Sequence, residues 1–546
     1  MFARFHIYLL LLLFFLSVVS PAHGWDKASH HVPIEDPVYL SIDILVAHSL
    51  VDSPFIGHRP FSLEQVKRLL NTAWVKYQKV KNNEGSFKAG NVAFFDALFD
   101  ELQDAYEFQP ESSSKNISIK LIDHADAKLV FLNSPTRNVF GPNILANQNS
   151  LVNFQNGNHV EDGLQFALES SHWLSIDSFF SLKVSPRVQF ELYNQYQSEE
   201  QAVYLKELYG SFALWNHQLD IGRRPMQWGQ GKQGGYMFSN HARPLDQIHL
   251  SNQEPWKTKY IGDIKYSFFF GGLGPEQVNT YPYVTGGKVS IKPHRFVELA
   301  IARAIEFGGN GAPSGSFMDI FADYFGARSE GEFAGTAANL TNSISGFEFR
   351  VFVPPLAKSW IYAEFYFDDF NLSHMIRSLQ QDSAITMGIY FPALNPKKHS
   401  SLRLEAKKTT AIMYKHNIWQ DGWSQNRFLL GDPLGPDAEA ISVSYSQLFI
   451  SNLQTTFDFY FERIDSDIYV ASASEGRSLS VNGSPEWRTR FLVTNQYQIN
   501  PNLSAMLLVG YENVANFNFV DNATVNNFVV QAGVSVDFGN KFNLKY

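Results

Sequence analysis

The chain contains no cysteine, which excludes disulfides, a thiolate metal site and an acylated N-terminal cysteine; stability must come from packing and hydrogen bonding. After residue 19 nothing approaches the roughly 18 consecutive apolar residues that a membrane-crossing helix requires. Positive charge is scarce too. Lys and Arg total 44 against 53 Asp and Glu, a formal net charge of -9, and without a concentrated basic patch no nucleic-acid partner is expected. Neither a phosphate-cradling glycine loop nor a calcium loop occurs, and the 16 histidines show no metal-ligand spacing. No cofactor and no metal are expected, and the adjacent His30 and His31 are expected to lie on a mobile N-terminus.

The one apolar run is Ile7 to Val19. Arg4 and His6 precede it and Ala22-His23-Gly24 follow it, the pattern of a secretory signal over residues 1–24, with Trp25 starting the mature chain.

What the chain has in abundance is aromatic: 47 Phe and 24 Tyr among 546 residues, set in short segments of period two. Such segments keep the average hydropathy moderate because only one face of each strand is apolar. That is the composition of an outer-membrane barrel, whose strands alternate lipid-facing and lumen-facing side chains. The clearest is Lys358 to Phe370, where Ile361, Ala363, Phe365 and Phe367 point one way, while Trp360, Tyr362, Glu364, Tyr366 and Asp368 point the other. Phe457, Phe459 and Phe461 alternate likewise with Asp458, Tyr460 and Glu462. Short turns alternating with long connections give about 18 strands, an even number that leaves both barrel ends on the periplasmic side. The count requires Asn116 to Asn133 to be one long strand and Leu245 to Ser251 a strand of its own. Gln531, Gly533, Val536 and Phe538 resemble a C-terminal insertion signal, with Gly539 to Tyr546 overhanging.

Before the barrel, residues 25–110 read as a small helical domain on the periplasmic side. Asp36-Pro37 is a helix start, Ser62 and Gln65 form a capping box, and Val92 to Tyr106 carries Phe95, Leu98, Phe99 and Leu102 on one face. The predicted architecture is therefore an all-β transmembrane barrel, residues 116–546, preceded by this α-helical domain.

The least ordinary stretch is Gln218 to Asn252. Gly222, Gly229, Gly231, Gly234 and Gly235 permit unusual backbone conformations, and between them stand Arg223, Arg224, Trp228, Tyr236, Asn240 and Arg243. Aromatic faces with amides and guanidinium groups are the chemistry that holds sugar rings and their hydroxyls. Arg223, Trp228, Tyr236, Asn240 and Arg243, with Trp419 and Trp423 from a second long connection, are the candidate polysaccharide-binding residues. Glu364 and Asp368 are expected in a lumen polar network. Two carboxylates on one strand face also admit a glycosidase reading, and His249 with Ser251 resemble the His-x-Ser pair of outer-membrane phospholipases. Many carboxylates share a face in any barrel lumen, and periodicity does not show a serine meeting the base and orienting group it needs, so no enzyme is expected.

Several segments together are similar to the Wzi-type outer-membrane capsule assembly proteins. They are Val32-Pro33-Ile34-Glu35-Asp36-Pro37-Val38-Tyr39, Arg59-Pro60-Phe61-Ser62, Gly222-Arg223, Trp228-Gly229, Ser239-Asn240-His241-Ala242-Arg243-Pro244, Gly308-Gly309, Glu364-Phe365-Tyr366-Phe367-Asp368-Asp369 and Trp419-Gln420-Asp421-Gly422-Trp423. The resemblance implies a barrel of about 18 strands capped by an N-terminal helical bundle, acting as a surface lectin that helps attach capsular polysaccharide to the cell. Its partners would be capsular polysaccharide, outer-membrane lipid and the polysaccharide export machinery. A barrel of this width also admits a porin or sugar-uptake channel, the alternative function.

Overall fold

The computed structural model describes residues 27–82, 89–109, 116–135, 137–138, 147–194, 202–232, 234–325, 340–368, 379–395, 400–450, 452–466, 468–472, 476–480, 483–539 and 541–545. The secretory signal at 1–24, the strand end at 369–370 and the turn at 396–398 lie outside the described residues.

Three helices come first: α1 Val38–Ala47, α2 Leu63–Asn82 and α3 Ala89–Tyr106. Their starts follow the sequence signals. The Asp36 carboxylate accepts the Val38 N–H at 2.8 Å, and Ser62 Oγ accepts the Gln65 N–H at 3.3 Å, each satisfying a donor that a helix start leaves open. Ile42, Leu45, Val66, Leu70, Phe95 and Phe99 then meet in one buried cluster, which extends onto Phe352, Trp360, Tyr362 and Tyr390 of the barrel.

The barrel is closed and antiparallel throughout. Its first half comprises β1 Asn116–Asn133, β2 Gly163–Ile176, β3 Phe180–Asn194, β4 Ala202–Leu214, β5 His217–Arg224, β6 Leu245–Asn252, β7 Gly262–Gly272, β8 Tyr283–His294 and β9 Val297–Phe307. The second half comprises β10 Thr341–Val353, β11 Ser359–Asp368, β12 Ser383–Asn395, β13 Ser400–Thr409, β14 Ala438–Ile450, β15 Leu453–Ile464, β16 Glu486–Asn500, β17 Leu503–Ala515 and β18 Thr524–Asp537. That makes 18 strands, as the turn spacing predicts. Trp256–Thr258 continues β6 along β7, and Phe542–Lys545 continues β18 along β1.

The last pairing corrects the expected overhang. Asn116 to Ile119 would otherwise be an unpaired edge, because β1 outruns the partner run of β18; Phe542–Lys545 covers that edge in register.

Alternation sorts the side chains by face. Phe461 and Phe347 are 40% and 44% exposed on the outer wall, whereas Glu462 and Glu364 are 7% and 0% exposed inside. Phe347 and Phe365, cross-strand partners, stack outside with centroids 4.8 Å apart. The helices sit at the end of the barrel where the connections are short: Phe296, in the β8–β9 turn, packs on the helical cluster. His30 and His31 are also packed there rather than mobile. His31 Nε2 lies 2.8 Å from the buried Asp220 carboxylate, and His30 stacks on Trp173.

Candidate functional site

The glycine-rich stretch between β5 and β6 turns down into the lumen. There Gln227–Trp228 forms a two-residue antiparallel ladder with His58–Arg59, which rises from the helical end. The lumen is thus entered from both ends by segments that hydrogen-bond to each other. The loop closes on itself through Trp228 N–H to Phe238 O at 3.0 Å and Gly235 N–H to Trp228 O at 2.6 Å. Gly229 makes this possible: its φ is +132°, and a Cβ there would stand 2.3 Å from the Gly235 nitrogen.

Wall carboxylates hold the loop by its backbone. Gln230 and Gly231 donate their N–H groups to Glu364 Oε1 at 2.6 and 2.8 Å, and Lys232 donates its own to Glu405 Oε1 at 2.9 Å. The Lys232 ammonium then reaches Asp458 at 2.5 Å and Ser444 at 2.8 Å. Gln230 Nε2 bridges Glu298 and Glu348, and Lys288 joins Glu348 to the carbonyl of Gly57. Charge-assisted bonds of this kind are strong where water is excluded.

A second long connection, residues 410–437, lies over the first. Asp368 accepts the Tyr414 N–H at 3.0 Å, Tyr414 Oη donates to Tyr236 O, and Trp423 Nε1 donates to Met237 O at 2.8 Å. Trp228, Tyr236, Phe238, Phe269, Tyr366, Tyr414 and Trp423 share one buried cluster.

The candidate residues therefore part company. Trp228 is 1% exposed, set edge-on against Phe238 and Phe269. Tyr236 and Trp423 are buried beside it, and Trp419 is buried with its Nε1 donating to Gly308 O at 3.0 Å. None of the four offers a free ring face here, which corrects the expectation of external stacking surfaces. The physical reason is that a tryptophan whose N–H finds a backbone carbonyl gains more by filling the lumen than by facing water. Asn240 is buried too, its amide donating to Glu35 Oε1 at 2.7 Å. Arg223 points outward from β5 and forks onto Asp246 at 2.9 and 2.7 Å, far in orientation from the loop interior.

Arg243 is different. Half-buried at the long-loop end, it lies over the Tyr204 ring at 4.3 Å while its Nε donates to Gly157 O at 3.3 Å. Around it the residues 154–161, 240–244 and 425–428 converge: Tyr204 Oη donates to Asn158, and the His159 ring packs edge-on against Phe428 at 4.8 Å. Burial, then the charges of Arg243 and Arg427, push His159 down to about 4, so its imidazole is neutral at pH 7. Arg427 is exposed beside them. Sequence reasoning missed Tyr204, His159 and Arg427, which gain meaning only from residues remote in the chain. Glu405 was within reach, since it alternates with Leu404 and Ala406.

The residues of the two catalytic readings have other partners. Glu364 Oε1 accepts the backbone N–H groups of Gln230 and Gly231, and Asp368 Oδ2 accepts that of Tyr414. His249 Nε2 bonds to Ser267 at 2.6 Å instead of Ser251, and its Nδ1 stands 3.7 Å from Asp220, beyond hydrogen-bond reach. Among the described residues no group of three metal-ligating side chains occurs.

Residues 145–528 match the family model described as capsule assembly protein Wzi. The chain belongs to the Wzi capsule assembly family. Over nearly its whole length the fold is similar to that of Escherichia coli Wzi, described as a carbohydrate-binding β-barrel of the outer membrane involved in group 1 capsule assembly. The TM-score is 0.65 at 15% identity, covering 94% of this chain and 100% of that one. An uncharacterized 55.8 kDa protein in the cps region of Klebsiella pneumoniae is 25% identical over 154 residues. That match spans 27% of this chain and 29% of the relative. As a member of the Wzi family built on this barrel, the protein is an outer-membrane protein.

Proposed function

We propose that this protein is a surface lectin that binds capsular or exopolysaccharide and helps attach it to the cell, without catalysing a reaction. The observation carrying this reading is the filled lumen. Segments from both ends meet at the His58–Trp228 ladder, so the wall serves as a pedestal and the accessible polar surface is the cluster of long loops. On this reading residues 1–24 are removed, residues 25–110 form a periplasmic cap under the barrel of residues 116–546, and the long loops face outward beside the export machinery.

The sugar site is assigned to the junction around Arg243. Its guanidinium presents a planar donor fork that lysine cannot copy, the exposed Arg427 adds a second cation, and the half-buried, neutral His159 adds a hydrogen-bonding group. Trp228, Tyr236, Trp419, Trp423 and Asn240 act from beneath, fixing the loops that carry this surface. Retention of purified cell-surface polysaccharide on immobilised protein tests the reading: Arg243→Lys and Arg427→Ala should release polymer while leaving a heat-modifiable barrel. Unchanged retention by both would place the site elsewhere. Steady single-channel conductance by the intact chain would favour transport.

A further inference from the structure

The connection between β9 and β10 contains a helix that the capsule-binding reading does not use. It runs Phe317–Tyr324, opened by a capping box in which Ser316 Oγ and the Asp319 carboxylate each bond the other's backbone N–H. None of its residues is buried. Phe317, Phe321 and Phe325 recur at intervals of four, one stripe of a helix, and their rings form a ladder with centroids 6.1 and 4.8 Å apart. Phe317 is 78% exposed, Phe325 66% and Met318, beside the stripe, 50%. Large apolar side chains so arranged are costly in water, at roughly 25 cal/mol per Å² of apolar surface.

The helix is fastened to the outer wall of the barrel. Tyr324 Oη donates to the carbonyl of Arg303 at 3.3 Å, and the Arg303 guanidinium donates back to the Asp323 carbonyl at 3.2 Å. Thr341 Oγ1 donates to Asp323 Oδ2 at 2.5 Å. Arg303 faces outward from β9, in register with Gly287 and Ser345. Gly287 leaves room for the tyrosine: a Cβ there would stand 2.9 Å from Tyr324 Oη and 2.5 Å from the Phe268 ring. Arg303 precedes Phe307, the end of its strand, by four positions, or about 13 Å along the strand. The helix end therefore overlies the outward belt in which Ile301, Phe268 and Phe347 are exposed.

We infer that the helix Phe317–Tyr324 is a membrane anchor, its phenylalanine stripe seated among the acyl chains of the leaflet at the long-loop end. The occupant follows from continuity, because the stripe extends an outward apolar belt whose solvent is lipid. Charge agrees: residues 308–325 contain no Lys or Arg, and the helix carboxylates are engaged by the cap and by Thr341. Nothing on the helix addresses a phosphate head group, so the ligand is hydrocarbon. The anchor would hold the start of this loop against the wall and set how far the neighbouring loops stand above the membrane.

Because the chain lacks cysteine, single spin labels test this directly. Labels at Phe317→Cys and Met318→Cys in the full-length barrel, reconstituted in phosphatidylcholine and phosphatidylglycerol vesicles, should collide with oxygen and resist a water-soluble nickel chelate as a label at Phe461→Cys does. A nickel accessibility like that of a label at the exposed loop residue Val520 would overturn the anchor. So would dipolar broadening between labels that disappears on dilution with unlabelled protein, because the stripe would then pack against a second copy. Met318→Cys, beside the ladder, keeps the test valid if loss of Phe317 loosens it.

Discussion

The outer wall and the lumen of this barrel are both rich in aromatics and differ in what surrounds them. Outside, Phe347, Phe457, Phe461 and Phe491 stand exposed on β10, β15 and β16, and each needs only a strand of period two beneath it. Inside, Trp228, Tyr236, Tyr414 and Trp423 are buried, and the polar tips of Tyr236, Tyr414 and Trp423 are each placed by a partner from another part of the chain. The wall is a local pattern repeated; the filling is a set of remote agreements. His58 pairs with Trp228, Glu35 with Asn240 and Glu364 with Gly231.

If this contrast is right, the largest effect belongs to the filling. Trp228→Ala should cost about 3–5 kcal/mol, the range for removing a buried large aromatic, read as a lower urea midpoint while the inserted barrel persists. Gly229→Val should behave similarly, since no β-branched residue tolerates its φ. On the wall, Phe461→Arg should cost about 2–4 kcal/mol near mid-membrane, and it should impair insertion itself, which Trp228→Ala leaves intact. Reversal of those phenotypes would break the comparison.

Glu364 separates charge from hydrogen bonding within the lumen. Glu364→Leu strands the Gln230 and Gly231 N–H groups and should cost about 1–3 kcal/mol, whereas Glu364→Gln keeps an acceptor and should cost less. Equal losses in urea unfolding would mean that the wall does not hold the loop through its backbone.

Acid should loosen the filling before the wall. Burial pushes His241 down to about 3 and His159 to about 4 from 6.5. With the folded pKa below the unfolded one, the unfolded chain binds more protons below pH 6.5. Stability is therefore full above 6.5 and falls as pH drops toward 3, by up to about 1.4 kcal/mol per pH unit for each histidine. His241→Phe should flatten the slope between pH 6 and 4 in unfolding titrations. The smallest effect is at the surface: Arg243→Lys should change stability by less than about 0.5 kcal/mol while lowering polysaccharide retention.

The contrast also explains what could be read from the chain. Period two in Ser359–Asp368 identified both faces of the wall, and the helix starts at Asp36 and Ser62 announced themselves. The same alternation, carried through His217–Arg224, places Arg223 outward beside Asp246, which a reading centred on the glycine-rich loop passed over. The loop was legible as folded-in. Its Trp228, like Trp419 and Trp423 of the second connection, reads as an exposed ring face yet is buried, because composition shows what a side chain can touch and long-range pairing decides what it does touch. Arg427 and His159 carried no local signal, being joined to Arg243 only by the convergence of three loops.

The most direct test is the binding of purified capsular polysaccharide to intact barrel and to the Arg243→Ala/Arg427→Ala double variant in matched vesicles. Saturable binding by the intact protein, lost in a double variant with unchanged heat modifiability, is the expected result. No binding by the intact protein, or equal binding by the two, would contradict a lectin surface at the Arg243 junction.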